Sequence, residues 1–256
     1  MTGAAVAAIW HDVECGSYAA DLPLWEELAE RHSGPILELG CGTGRVALHL
    51  ARRGHRVYGL DRDPELLAVL AERAADLFPI RVGKESDADP EPRVVPVQAD
   101  ARSFELADSV ALALAPTHLL QLLPGPAARG ECLRSVAAAL RPGGLLAVVI
   151  IEEMPEPDGA PPPLPDVREV DGWVYSSLAI EAATAPGEIV VRRLRQTVSP
   201  QGELSEEPNE VRIATFTASS LEAEAEAAGL RPAGQREIAP TDLHVGSKVV
   251  LFEKGT

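Results

Sequence analysis

Apolar and polar positions change period repeatedly along this chain, and each change marks an element. Pro35–Leu39, His55–Leu60, Val94–Gln98, Ser109–Ala115 and Leu145–Ile151 are short apolar runs of strand length. Between them, Arg45–Arg53, Glu65–Phe78 and Ala127–Leu140 repeat apolar residues at helical spacing. Asp63-Pro64 forms a helix start, because an aspartate caps free amides and proline is pre-set for the first turn. Gly54 is placed to end the preceding helix in a left-handed cap. Strand–helix alternation of this kind predicts a parallel sheet with helices on both faces. The polar stretch Gly83–Arg93 reads as a mobile surface loop.

At Glu152 the pattern breaks. Residues 154–166 hold six prolines. Val167–Phe216 then alternates with period two, as in Glu188–Arg195, with turn signals at Pro186-Gly187 and Pro200–Gly202. This predicts a β-rich insertion. Ser219–Glu222 matches a capping box for a helix ending near Gly229, and Arg236–Ile238 and Lys248–Phe252 are terminal strand candidates. The domain reading is a helical lead-in over 1–34, a core of 35–153 plus 217–256, and a proline linker with a lid over 154–216.

Composition narrows the partners. Of 256 residues, 46% are apolar and 24% charged, as in ordinary globular chains, but the formal net charge is −16. Such a surface repels nucleic acid and anionic membranes, so neither is an expected partner. The arginine groups 52, 53, 56 and 192, 193, 195 read as a solvated helix end and an exposed strand edge, with a substrate-facing arginine in the second group kept open. Cys15, Cys41 and Cys132 lack metal-ligand spacing and form no disulfide framework, so no metal is expected and a reducing cytoplasm fits. No apolar run reaches membrane-spanning length, and the start lacks the basic region of a signal peptide.

The most informative run is Ile36-Leu-Glu-Leu-Gly-Cys-Gly-Thr-Gly-Arg45. A strand, a glycine turn and a helix build a place where backbone approaches a ligand closely, and Gly40, Gly42 and Gly44 lack the Cβ atoms that would fill it. Arg45 stands where the third glycine of a dinucleotide fingerprint belongs, so the run points to another nucleoside cofactor.

These pieces in this order resemble the class I S-adenosylmethionine-dependent methyltransferase family over residues 35–150. Glu38 to Gly44, including Cys41, looks like that family's first motif. Asp61, followed by Arg62, matches the acid that accepts the ribose hydroxyls. Asp100 matches the acid that reads the adenine amino group, with Ala101 offering a backbone amide. Leu140–Gly144 looks like the turn before the fifth strand. The resemblance implies a Rossmann-like, doubly wound, seven-stranded, mostly parallel sheet with an antiparallel last strand and a β-rich lid. It also implies S-adenosylmethionine as cofactor and S-adenosylhomocysteine as product. Leu114–Leu123 sits where the fourth motif borders the methyl, which puts Ala115 in the cofactor set. It is neither Asn-Pro-Pro-Tyr nor Asp-Pro-Pro-Tyr, against methylation of adenine amines or glutamine amides. The lead-in Tyr18–Trp25 resembles the segment that closes over the cofactor in small-molecule members.

In-line methyl displacement mainly needs alignment, and a base only where the acceptor must lose a proton. His118 is the base candidate and Tyr18 the residue expected to line the methyl or bind the cofactor carboxylate; each also reads as ordinary packing. His11 is a weaker candidate, His244 is open, and His32, His49 and His55 read as structural. Glu152 is either a binder of a substrate cation or a strand cap. The expected acceptor is a small molecule methylated at nitrogen or oxygen, with a homodimer through the lid. The rivals are a nicotinamide-dependent oxidoreductase, a non-catalytic cofactor-binding partner subunit, and a methyltransferase acting on protein.

Overall fold

The computed structural model describes residues 3–79, 93–154, 164–241 and 244–255. The expected loop at 83–93, apart from Arg93, and most of the proline run lie outside them.

Seven strands form the central sheet: β1 (Ile36–Leu39), β2 (Val57–Asp61), β3 (Val94–Gln98), β4 (Val110–Ala115), β5 (Leu140–Ile150), β10 (Leu230–Ile238) and β11 (Ser247–Lys254). Their order is β10-β11-β5-β4-β1-β2-β3. Strands β1 to β5 pair in parallel, and β11 runs antiparallel to both neighbours. The expected doubly wound sheet with its antiparallel last strand is therefore present. A second, antiparallel sheet, β6 (Asp166–Val170), β7 (Trp173–Ala185), β8 (Glu188–Val198) and β9 (Leu204–Ala214), is the expected insertion. Pro96, Pro208 and Pro232 lie in β3, β9 and β10, all edge strands, where the missing N–H costs no ladder bond.

Strand alternation divides the core. Ile36, Leu112, Leu114, Ala147, Val149 and Leu251 pack with α2 (Leu22–Arg31) and α3 (Arg45–Arg52). Leu37, Leu39, Ala113, Val148, Val250 and Phe252 face the other way, toward α6 (Gly125–Ala139) and α7 (Ala218–Ala227). Both faces are covered, which is why β1 and β4 are buried at every position. The α4 helix (Pro64–Leu77) opens as expected, with Asp63 accepting from the amides of Glu65 (2.8 Å) and Leu66 (3.4 Å). Gly54 takes φ 98° at the end of α3.

Three boundaries differ from expectation. The α7 cap is Thr217, whose hydroxyl accepts from Ser220 N at 3.1 Å, rather than Ser219. Glu152 accepts from the Ala218 amide (2.6 Å), which draws the helix start forward. Pairing of β5 begins at Leu140, just before the Arg-Pro-Gly-Gly turn, and β10 begins directly after Gly229. A short α5 (Leu119–Leu122) follows β4.

The lead-in is helical, with α1 (Gly3–Cys15) preceding α2. The α1 helix touches the lid through Trp10, which meets Tyr175 edge-on at 5.3 Å. Glu14 pairs with Arg195 of β8 (2.7 and 2.9 Å) and accepts from Ser177.

Candidate active site

The glycine turn leaves β1 and is held by Cys41 N donating to Leu60 O (3.0 Å) and Gly44 N to Cys41 O (2.9 Å). Gly40, Gly42 and Gly44 all take positive φ, at 65°, 54° and 92°. The spaces left by their missing Cβ atoms are filled by protein. A Cβ on Gly42 would stand 2.2 Å from His11 Nε2, one on Gly44 2.3 Å from Leu70 Cδ1, and one on Gly40 3.0 Å from Leu119 Cδ1. The expectation that all three glycines make room for a ligand is thus corrected. At Gly42 and Gly44 the room goes to α1 and α4 packing, and only Gly40 borders the cavity.

Asp61 ends β2 and shapes this turn. Its Oδ2 accepts from Gly42 N (2.9 Å) and its Oδ1 from Asp63 N (3.0 Å), leaving further lone pairs for a ligand. Asp100 lies beyond β3 and is gripped by Arg102 through Nε (2.9 and 3.1 Å) and Nη2 (2.6 Å), besides the Arg102 amide (2.9 Å). That guanidinium holds its carboxyl down at about 2. Any hydrogen-bond donor that approaches Asp100 must therefore share or displace Arg102.

Behind the turn, Glu38 is 3% exposed, and its Oε2 is a buried oxygen with no partner. Two positions after Ile36, it shares that residue's face of β1, so it faces α3 and meets the free first-turn amide of Ala47. Burial nevertheless wins and pushes the carboxyl up to about 8, against the pull of Arg45. Arg45 ties the lead-in to the turn. It binds Asp21 with both Nη atoms (2.6 and 2.7 Å), donates to Tyr18 O (2.9 Å) and lies 5.2 Å over the Tyr18 ring.

Opposite the turn, Thr117 and His118 take φ 60° and 62°, two successive non-glycine residues in the left-handed region. Such strain costs about 1–3 kcal/mol per residue and is characteristic of sites held by their surroundings. Here His118 O accepts the amides of Gln121 (2.9 Å) and Leu122 (3.2 Å), which opens α5. Burial lowers the His118 ring below its ordinary value, and likewise His11 and His244. Tyr18 meets His244 in a tilted ring contact, with centroids 4.7 Å apart.

Together these groups enclose one cavity of about 630 Å³, within the range of small-molecule sites. Gly40, Asp61, Arg62, Asp100 and Ala101 of the core line it, with Tyr18, His118 and His244 and with Val191, Arg193, Val211 and Ile213 of the inserted sheet. Glu38, Cys41, Gly42, Gly44 and Ala115 lie behind the wall. Cys41 is 2% exposed, its thiol raised by burial, and it packs with Leu48 and Leu70; Ala115 is in the core.

Other residues divide by partner. Glu152 caps α7 and pairs with Lys248, a structural use of its charge. His32 bonds Leu28 O and His49 bonds Glu26. Of the β8 arginines, Arg192 pairs at the surface with Glu181 and Glu210, Arg195 holds α1, and Arg193 reaches the cavity. Among the described residues no group of three or more His, Cys, Asp or Glu forms a metal site. Sequence reasoning missed Gln121 and Asp12. Gln121 is a lone polar residue in Leu-Leu-Gln-Leu-Leu, which was its one signal. Asp12, on α1, is buried against Thr43 (2.6 Å), Arg73 and Arg168, and nothing in its neighbourhood in the chain marks that.

Residues 36–144 match the family described as "Methyltransferase domain". Over 56 residues the chain is 36% identical to the YqeM protein of Bacillus subtilis, covering 22% of this chain and 23% of that one. The chain thus spans under a quarter of the length of that curated relative. Solved structures match at full length. The sugar N-methyltransferase KedS8 from Streptoalloteichus is 17% identical with a TM-score of 0.70, over 98% of this chain and 93% of that one. Streptomyces venezuelae DesVI is 19% identical with a TM-score of 0.69, over 100% and 99%. CalS10, an amino pentose methyltransferase from Micromonospora echinaspora, is 20% identical with a TM-score of 0.62, over 98% and 95%. At these identities the likeness is one of fold. Residues 36–144 thus match a methyltransferase domain, and the chain as a whole has the fold of these methyltransferase structures.

Proposed function

We propose that the protein moves a methyl group from S-adenosylmethionine to a nitrogen or oxygen of a small molecule seated between His118 and the lid, leaving S-adenosylhomocysteine. The single observation that carries this is that one cavity is lined by Gly40, Asp61 and Asp100 together with His118 and with Val191, Arg193 and Val211. CalS10 is described as bound to S-adenosylmethionine, and the glycopeptide N-methyltransferase MtfA as complexed with S-adenosylhomocysteine. The residues fit that cofactor. Asp61, which lines the cavity, has lone pairs left for a ribose diol, while Glu38 stays behind the glycine turn.

The cofactor supplies a methyl on a good leaving group, so the chain's task is alignment, worth roughly 7–11 kcal/mol when reacting atoms are held in line. Tyr18 and Arg45 close the lead-in over the turn. His118, neutral because it is buried, takes the proton that an ammonium or hydroxyl acceptor must lose. Nitrogen is the acceptor atom favoured by KedS8 and MtfA, both described as N-methyltransferases. A homodimer through the lid belongs to this reading, supported by exposed Val167, Ile180 and Leu204, and light scattering tests it. So does a reducing cytoplasmic setting, supported by three free cysteines.

Calorimetry with S-adenosylhomocysteine, then methyl transfer from labelled S-adenosylmethionine to a panel of small amines and phenols, tests the reading. Micromolar binding to the wild type and turnover that His118→Asn reduces about 10²–10⁴-fold are expected. Binding with no turnover on any amine or phenol, while a peptide substrate is methylated, would overturn the small-molecule assignment.

A further inference from the structure

The carboxamide of Gln121, 1% exposed, uses all four of its hydrogen-bonding positions. Its Nε2 donates to the carbonyls of Ile151 (2.8 Å) and Ala214 (2.7 Å), and its Oε1 accepts from the Ile151 amide (2.8 Å). Ile151 follows β5 and Ala214 ends β9, so these are the residues where the chain leaves the core for the lid and returns from it. Turned over, the carboxamide would set its NH₂ against an amide N–H and its oxygen against two carbonyls. The backbone therefore fixes which end is which.

The other lone pair of Oε1 meets His118 Nδ1 at 3.2 Å. A carboxamide oxygen only accepts, so Nδ1 carries the proton and the neutral ring keeps its lone pair on Nε2. Among the described residues Nε2 has no protein partner, and His118 is one of the residues lining the cavity. A lid anchor needs only the bonds to Ile151 and Ala214. The fourth bond goes to an imidazole whose own backbone is strained into place.

We propose that Gln121 is a positioning residue for methyl transfer. Pinned at both roots of the lid, it holds His118 as the Nδ1–H tautomer with the Nε2 lone pair free at the acceptor end, and it makes that state depend on a seated lid. The proposal rests on the reading that the acceptor binds beneath the lid. It goes beyond that reading in naming what selects the reactive nitrogen.

The test is a long-range ¹H–¹⁵N spectrum of the full chain with labelled histidine, saturated with S-adenosylhomocysteine, His118 being assigned by loss of its signals in His118→Asn. The wild type is expected to show a protonated Nδ1 and an unprotonated Nε2, the reverse of the preference of free imidazole side chains in water. Gln121→Leu, or Gln121→Met, is expected to return His118 to the Nε2–H form while keeping S-adenosylhomocysteine affinity within about threefold. A wild-type Nε2–H signal overturns the proposal, whether or not either variant folds. So does an Nδ1–H signal that survives loss of the carboxamide. Failure of the underlying reading looks different: His118→Asn would leave turnover on an accepted amine unchanged, with the tautomer as described.

Discussion

Glu38→Gln isolates a carboxyl that, alone among those of the described residues, is buried with an oxygen left unpartnered. Burial raises it from 4.5 to about 8, while Arg45 and the Ala47 amide pull the other way. Between those two values the unfolded chain has lost this proton and the folded chain still holds it. Folded protein then binds one more proton than unfolded, so stability falls as pH rises, by about 1.4 kcal/mol per pH unit. Below the unfolded value the contribution is fully present, and above the folded value it is lost. Across the window the sum is about 5 kcal/mol, an upper limit for a site that relaxes. Glutamine keeps the shape and stays neutral at every pH, so that slope disappears. Urea unfolding at about pH 5, 6.5 and 8 measures it, because the other titrating groups cancel in the difference between the two proteins. The variant should gain steadily on the wild type as pH rises, with an unchanged dependence on urea. Stability curves that stay parallel within about 0.5 kcal/mol would show that Glu38 is ionised in the folded protein, and the reasoning from burial would be wrong.

Asp61→Ala removes the carboxylate that holds the Gly42 and Asp63 amides at 2.9 and 3.0 Å. Its S-adenosylhomocysteine affinity should fall at least about 10-fold by calorimetry, since hydrogen bonds to a charged group are worth about 1.5–3 kcal/mol each. Gly42→Ala adds a Cβ 2.2 Å from His11 Nε2 at φ 54°, so α1 must shift and affinity should drop with it; a crystal structure with His11 unmoved would contradict this. Asp12→Ala leaves Arg73 and Arg168, both partly solvated, without their shared, buried partner and should cost about 1–3 kcal/mol in chemical denaturation. A loss under about 1 kcal/mol would show that solvent already screens the cluster.

Much of the core was legible in the chain. The buried strands are continuous apolar runs because both faces of β1 and β4 are covered, and Asp63-Pro64 and Gly54 punctuate helices by local chemistry alone. The α7 start was misplaced by two residues because the Ala218 amide is taken by Glu152, sixty-six positions away. The two acids at the cavity were legible for a topological reason: Asp61 ends β2 and Asp100 closely follows β3, both on the carboxyl side of the sheet, where such folds bind ligands.

The sequence by itself determined the turn, its positive-φ glycines, the acids around it and the change of period that announces the lid. Those follow from short-range sterics and strand alternation, which act within a few residues. Only the tertiary structure decided what fills the spaces beside the glycines, since His11 and Leu70 arrive from separate helices. It alone decided that Arg45 binds Asp21 and Tyr18, and that Asp12 joins α1 to the turn, α4 and the lid. It also decided that Gln121 meets both roots of the lid and His118. Hydrogen bonds and ion pairs between residues 24 to 156 positions apart leave no periodic trace in a chain, because distance along it does not set which polar groups burial forces together.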